Sequence, residues 1–179
     1  MVDLERLVEA AKAGDAAAVR AIVTQHPRLV VERLPSGESP LMAALYRGHS
    51  EVVQTLVDLG AELDVFAAAA VGNTTALTDA LRQPGAVEAF AYDGWTPLHL
   101  AAFFGRMDAV RILLDRGADL RAVSRNSMKN TPLHAATAGK HQQIARLLLE
   151  HGADPHAIDA GGYTPAKIAA ENGFELENR

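Results

Sequence analysis

Seven histidines, twenty-two carboxylates and no cysteine bound the chemistry open to this chain of 179 residues. Without cysteine there is no thiolate nucleophile, thiolate metal site or disulfide framework, so histidine and carboxylate would have to carry any catalysis or metal binding. Two histidines, His99 and His134, occupy matching places in Thr96-Pro97-Leu98-His99 and Thr131-Pro132-Leu133-His134. A helical zinc pair needs a second histidine or a carboxylate three or four residues away, and neither has one. His151, Asp154 and His156 fall on a turn behind a helix, where solvated polar residues are usual. No glycine-rich phosphate loop follows a strand pattern, and no Ser-His-Asp order has a geometric reason to assemble. The residues call for no enzyme, no metal and no cofactor.

What positions these histidines is a recurring unit. From Asp93 to Asp119 the chain reads as a turn at Asp93-Gly94, a proline suited to opening a helix, a short apolar helix and a break at Gly105. An amphipathic helix with Met107, Val110, Leu113 and Leu114 on its inner side follows, closed by Gly117-Ala118-Asp119. The pattern returns at Thr131–Ala136 with Gly152-Ala153-Asp154, opens again at Tyr163-Thr164-Pro165-Ala166, and is present upstream at Ser39–Ala44 with Gly60-Ala61-Glu62. The intervals between Pro40, Pro97, Pro132 and Pro165 are 57, 35 and 33 residues.

A period near 33 residues carrying Thr-Pro-Leu-His resembles the ankyrin-repeat family, over nearly the whole chain. The resemblance implies an all-α solenoid of stacked helix-turn-helix units with short β-hairpin fingers. It implies one domain over 1–179, with repeats near 1–33, 34–63, 64–90, 91–123, 126–158 and 159–179. It further implies that His99 and His134 hydrogen-bond Thr96 and Thr131 and nearby backbone, and that targets bind the concave side through finger tips and inner-helix edges.

The repeats are not uniform. In the first, Leu4, Leu7, Val8 and Ala11 recur at helical spacing up to Gly14. Asp15 then caps a helix carrying Val19, Ile22 and Val23, which His26-Pro27 ends. The second repeat opens after the turn Pro35-Ser36-Gly37, with an inner helix from about Pro40 to Arg47 and Val52, Val53, Leu56 and Val57 as the stripe of an outer helix ending at Gly60. The third lacks room for a finger, so Asp64 is expected to cap Val65–Val71 directly and Thr74 or Thr75 to open an outer helix through Leu77 and Leu81. In the fifth, Lys140 stands in the inter-helix glycine place with Gly139 before it, predicting a locally adjusted turn. After the inner helix Pro165–Asn172 of the sixth, only Phe174–Arg179 remains, so its outer helix is expected to be truncated or absent. A continuing parent chain, a partner or a second copy would then cover the inner helix.

Composition fits a soluble folded chain, with 49% hydrophobic and 22% charged residues. A net charge of -5 gives a nucleic-acid partner no support. Met1–Val8 lacks the basic and apolar regions of a signal peptide, and the apolar run Val65–Val71 is too short to span a bilayer. A cytosolic monomer is expected, and the excess of arginine over lysine with abundant alanine points to a GC-rich bacterial genome.

The expected binding positions are Tyr46 and Arg47, Val71, Tyr92, Asp93, Trp95, Phe103 and Phe104, Met128, and Tyr163. Asn130 and Ala70 share their register. Six of the nine aromatic residues fall there, which makes Trp95, Phe103 and Phe104 candidate hot spots. The missing finger suggests a notch floored by Ala70 and Val71 and walled by Tyr46 and Phe103, unless Phe103 and Phe104 fill that space themselves. Arg121, Arg125 and Lys129 put a basic tip on an acidic chain, either steering an acidic partner or simply solvated. The function read from these positions is protein–protein interaction. The alternatives are a small-molecule or metal-responsive regulator using the notch, or a structural piece of a longer chain or homo-oligomer.

Overall fold

A computed structural model of the chain describes residues 2–176, and among these there are helices and turns but no strand. The chain divides into two bodies, Met1–Leu63 and Asp64–Arg179. The boundary falls where the third repeat begins without a finger.

In the N-terminal body, α1 (Val2–Ala13) buries Leu4, Leu7, Val8 and Ala11 as their spacing requires. The Asp15 carboxylate accepts the Ala18 amide at 2.8 Å and starts α2 (Ala16–Gln25), which buries Val19 and Val23. His26-Pro27 ends that helix, and a 3-10 turn, Pro27–Val30, follows. Ser39 caps α3 (Pro40–Tyr46), which packs on α1 and on α4 (Ser50–Asp58). Along α4 the buried residues are Val52, Thr55 and Leu56, while Val53 and Val57 are half-buried.

The C-terminal body is a run of paired helices. Its inner helices are α5 (Val65–Val71), α7 (Pro97–Phe103), α9 (Pro132–Ala138) and α11 (Pro165–Glu171). Its outer helices are α6 (Thr74–Ala80), α8 (Met107–Asp115) and α10 (Gln142–Glu150). Each inner helix has only seven residues, too short to persist alone in water, so packing must hold it. Helix α7 packs on α5, α8 and α9, and α9 on α10 and α11. A helix enclosed in this way has little polar surface, and α7 buries every residue from Pro97 to Ala102. Alanines at Ala67–Ala70, Ala101-Ala102 and Ala135-Ala136 are fully or nearly fully buried and let neighbouring backbones approach.

The fingers differ from the β-hairpins expected. Each is a tight turn closed by one backbone rung: Ala91 N–H to Trp95 O at 2.8 Å, Ser124 N–H to Asn130 O at 2.8 Å, and Asp159 N–H to Tyr163 O at 3.0 Å. A single rung leaves no ladder to extend into strands.

The third repeat follows its sequence. The Asp64 carboxylate accepts the amides of Phe66 at 3.0 Å and Ala67 at 2.8 Å and so opens α5 with no finger before it. Asn73 caps α6, and Thr74 is its first residue. In the fifth repeat the expected adjustment of the turn is absent. Lys140 itself takes the left-handed conformation, φ 63, where Gly105 has φ 73 in the fourth. Gly139 is required for a different reason, since a Cβ there would lie 2.3 Å from the Phe103 carbonyl oxygen. In the sixth repeat α11 is present and Phe174–Leu176 are not helical. Glu177–Arg179, on which the expected truncation also rests, lie outside the described residues.

Candidate docking surface

Two side-chain clamps position the fingers and inner helices of the C-terminal body. His99 is fully buried; the Thr96 hydroxyl donates to its Nδ1 at 2.8 Å, and its Nε2–H donates to the Asn130 carbonyl at 3.0 Å. Both ring nitrogens are thereby satisfied in the neutral tautomer. Burial pushes the imidazole down to about 4, although the Asn130 carbonyl pulls the other way. His134 repeats the arrangement with Thr131 at 2.8 Å and the Tyr163 carbonyl at 3.1 Å, and burial lowers its pKa too. The threonine partners are those the sequence implied. The second partner is the closing residue of the next finger, so each histidine ties its own helix to the following repeat.

The other clamp was not read from the sequence. Arg106 Nε donates to the Ala70 carbonyl at 2.8 Å, and Asn172 Nδ2 donates to the Thr137 carbonyl at 3.0 Å. His141 engages the Phe103 backbone, and in the N-terminal body His49 Nε2 lies 3.0 Å from the Lys12 carbonyl. Each reaches back to a carbonyl at the end of the preceding inner helix, where helical partners run out. Desolvation lowers the pKa values of Arg106 and His141. The signal available was a polar residue recurring directly after Gly48, Gly105 and Lys140.

Trp95 requires a correction, because it is only 5% exposed and cannot be a projecting contact. Its ring stacks on His99 at 6.0 Å and meets Phe103 edge-on at 5.1 Å, and Phe103 meets Phe104 edge-on at 5.1 Å. Trp95 is the buried base of an aromatic series whose outer members, Phe103 and Phe104, are half-buried at the end of α7. Asn130, at its finger's closing rung, is buried as well. Asp93 is half-buried, and its carboxylate accepts the Trp95 amide at 3.1 Å and shapes the turn. Ala70 is fully buried and Val71 half-buried at the end of α5. In the N-terminal body, Tyr46 and Arg47 are exposed at the end of α3.

The large apolar residues exposed in the C-terminal body are Tyr92, Val123, Met128, Ile158 and Tyr163, ranging from 37% at Tyr163 to 70% at Ile158. All of them lie on finger segments and none on a helix. Neighbouring fingers are joined backbone to backbone, Arg125 N–H to Gly94 O at 2.8 Å and Ala160 N–H to Met128 O at 2.8 Å. Their approach is so close that a Cβ on Gly94 would stand 2.6 Å from the Asn126 amide nitrogen. The exposed apolar residues therefore sit on or beside three adjacent, backbone-linked fingers. Val123 and Ile158 were missed; the signal was their shared place directly before Ser124 and Asp159, which begin the two fingers.

His151 Nδ1 bonds the Leu147 carbonyl at 2.8 Å, and Asp154 accepts the His156 amide at 2.8 Å, so both serve their turn. Among the described residues no group of three His, Cys, Asp or Glu side chains is placed to hold a metal ion, and no helix is long and apolar enough to cross a membrane.

Three overlapping matches to ankyrin repeats, at residues 7–124, 65–159 and 122–177, show that the chain belongs to the ankyrin-repeat family. Repeats of this family mediate protein–protein interaction. The chain is 31% identical over 95 residues to protein phosphatase 1 regulatory subunit 12A of Mus musculus, covering 53% of this chain and 7% of that protein. It is 30% identical over 138 residues to probable E3 ubiquitin-protein ligase XBOS32 of Oryza sativa subsp. japonica, covering 71% of this chain and 28% of that protein. A third relative, probable E3 ubiquitin-protein ligase XBOS31 of the same plant, is 41% identical over 66 residues, 36% of this chain and 15% of its own length. The chain thus spans less than a third of the length of each of these relatives.

Proposed function

We propose that the chain is a non-catalytic protein-interaction module whose partner docks on the finger row of the C-terminal body. Tyr92, Val123, Met128, Ile158 and Tyr163 are exposed on or beside these fingers, and Phe103 and Phe104 adjoin their base through Trp95. The observation that carries this reading is the segregation of exposed apolar side chains onto the hydrogen-bonded fingers, while the inner-helix cores are buried. Exposed apolar side chains gathered on neighbouring segments are what interfaces use for anchors, with tyrosine and methionine among the enriched types. Tyr46 and Arg47 offer a further contact in the N-terminal body. The partly matched relatives include a regulatory subunit and two ligases, which fits a recognition segment without carrying over their activities or partners. A cytosolic monomer is the setting proposed.

The experiment is capture from source lysate with the native chain beside two variants of matched thermal stability. One is Tyr92→Ala/Met128→Ala/Tyr163→Ala on the fingers, and the other is Arg111→Ala/Arg146→Ala on the outer helices. A protein retained by the native chain and the outer-helix variant but lost by the finger variant supports the reading. A protein lost only with the outer-helix variant overturns it.

A further inference from the structure

Resting on that reading, we infer that the finger between α8 and α9 takes an acidic linear segment of a partner protein, with carboxylates set beside an apolar side chain. From Leu120 to Asn130 the chain carries Arg121, Arg125 and Lys129 and no carboxylate, although its net charge is -5. All three cations are exposed, and none of them forms an ion pair among the described residues. Burial alternates along the segment's approach: Arg121, Val123 and Arg125 are exposed and Ala122 and Ser124 buried. Two exposed cations thus lie two residues to either side of an exposed valine along the chain. Met128 and Lys129 repeat the pairing of apolar and basic groups at the tip.

The site is held ready. The Asn126 side chain accepts from the Met128 amide at 3.0 Å and from the Ser124 hydroxyl at 2.9 Å, and donates to the Asp93 carbonyl at 2.9 Å. The Arg125 guanidinium lies over the Phe90 ring, 3.8 Å from its centroid. The ring covers one side of the cation, and a guanidinium carries a fork of N–H donors that suits a planar, bidentate carboxylate. The flanking fingers show the opposite economy of charge: the Asp93 carboxylate accepts the Trp95 amide, and that of Asp159 accepts the Gly161 and Tyr163 amides. A peptide is favoured over a nucleic acid because apolar groups are interleaved with only three cations.

The test pans a displayed library of random twelve-residue peptides on the full chain. Enriched peptides are then measured by fluorescence anisotropy at low and high salt. The expected result is enrichment of Asp and Glu around a Leu, Ile or Phe. Arg121→Glu/Arg125→Glu/Lys129→Glu should weaken binding on the order of tenfold or more at low salt, and the corresponding Gln variant by less. Circular dichroism and melting establish that these surface variants fold. Neutral or basic consensus peptides, no enrichment, binding indifferent to charge reversal, or equal competition by a single-stranded oligonucleotide each overturn the inference. Peptides lost with Met128→Ala/Tyr163→Ala but not with charge reversal would leave the docking reading standing and remove only the acidic partner.

Discussion

The third and fourth repeats build the same pair of antiparallel helices from different instructions. The fourth has a finger, Thr96 capping α7 and His99 clamping the next finger. The third has none of these, and the two amide bonds to Asp64 open α5 instead. Both helices are nevertheless seven residues long and pack on each other. The helix pair is thus specified by a cap, a left-handed turn and buried small side chains. The finger is an addition that displays side chains, and His99 of the fourth repeat holds the finger of the next.

The largest effect should follow from removing that histidine. His99→Ala removes one of the two donors to the Asn130 carbonyl, takes the acceptor from the buried Thr96 hydroxyl and opens a cavity, and is expected to cost about 3 kcal/mol in urea unfolding. Acid should act on the same group. Its folded pKa near 4 lies below the unfolded 6.5, so the unfolded chain binds the proton first. Stability is fully present above the unfolded value and is lost as pH falls through the folded one, up to ~3 kcal/mol from His99. His134 and His141 are lowered by burial and add in the same direction. Urea midpoints measured from pH 7 down to pH 4 check this, and a flat profile in native chain or an unchanged slope in His99→Gln would separate the clamp from the titration. Asp64→Ala should cost about 1 kcal/mol, the loss of an N-cap, because the third repeat has no second device to hold α5 open. Lys140→Gly sharpens the comparison from the other side. It relieves a non-glycine φ of 63 and should raise stability by ~0.5 to 1 kcal/mol. No gain would mean that the lysine side chain offsets its strain.

Much of this was legible in the chain. Pro97, Pro132 and Pro165 marked the inner helices, the interval after Gly60 marked the missing finger, and Asp64 marked its substitute. What escaped were interactions between repeats. The carbonyls that His99, His134, Arg106 and Asn172 engage lie 29 to 36 residues away. Local pattern gives the donor but not the distant backbone atom that it meets. Trp95 was misplaced for a related reason: its register is that of exposed positions, yet the neighbouring rings of His99 and Phe103 cover it. Val123 and Ile158 went unnoticed because their one signal, a shared place directly before Ser124 and Asp159, shows only when the two repeats are set side by side.

The most direct test of a display role separable from the fold measures partner binding and urea midpoint together. It uses Tyr92→Ala/Met128→Ala/Tyr163→Ala, with His99→Ala as the contrasting variant. The finger variant should keep a midpoint within ~0.5 kcal/mol per substitution of the native chain while losing its partner, since each changed side chain is exposed. A finger variant that unfolds as readily as His99→Ala, or that stays folded and binds as tightly as the native chain, would contradict the account.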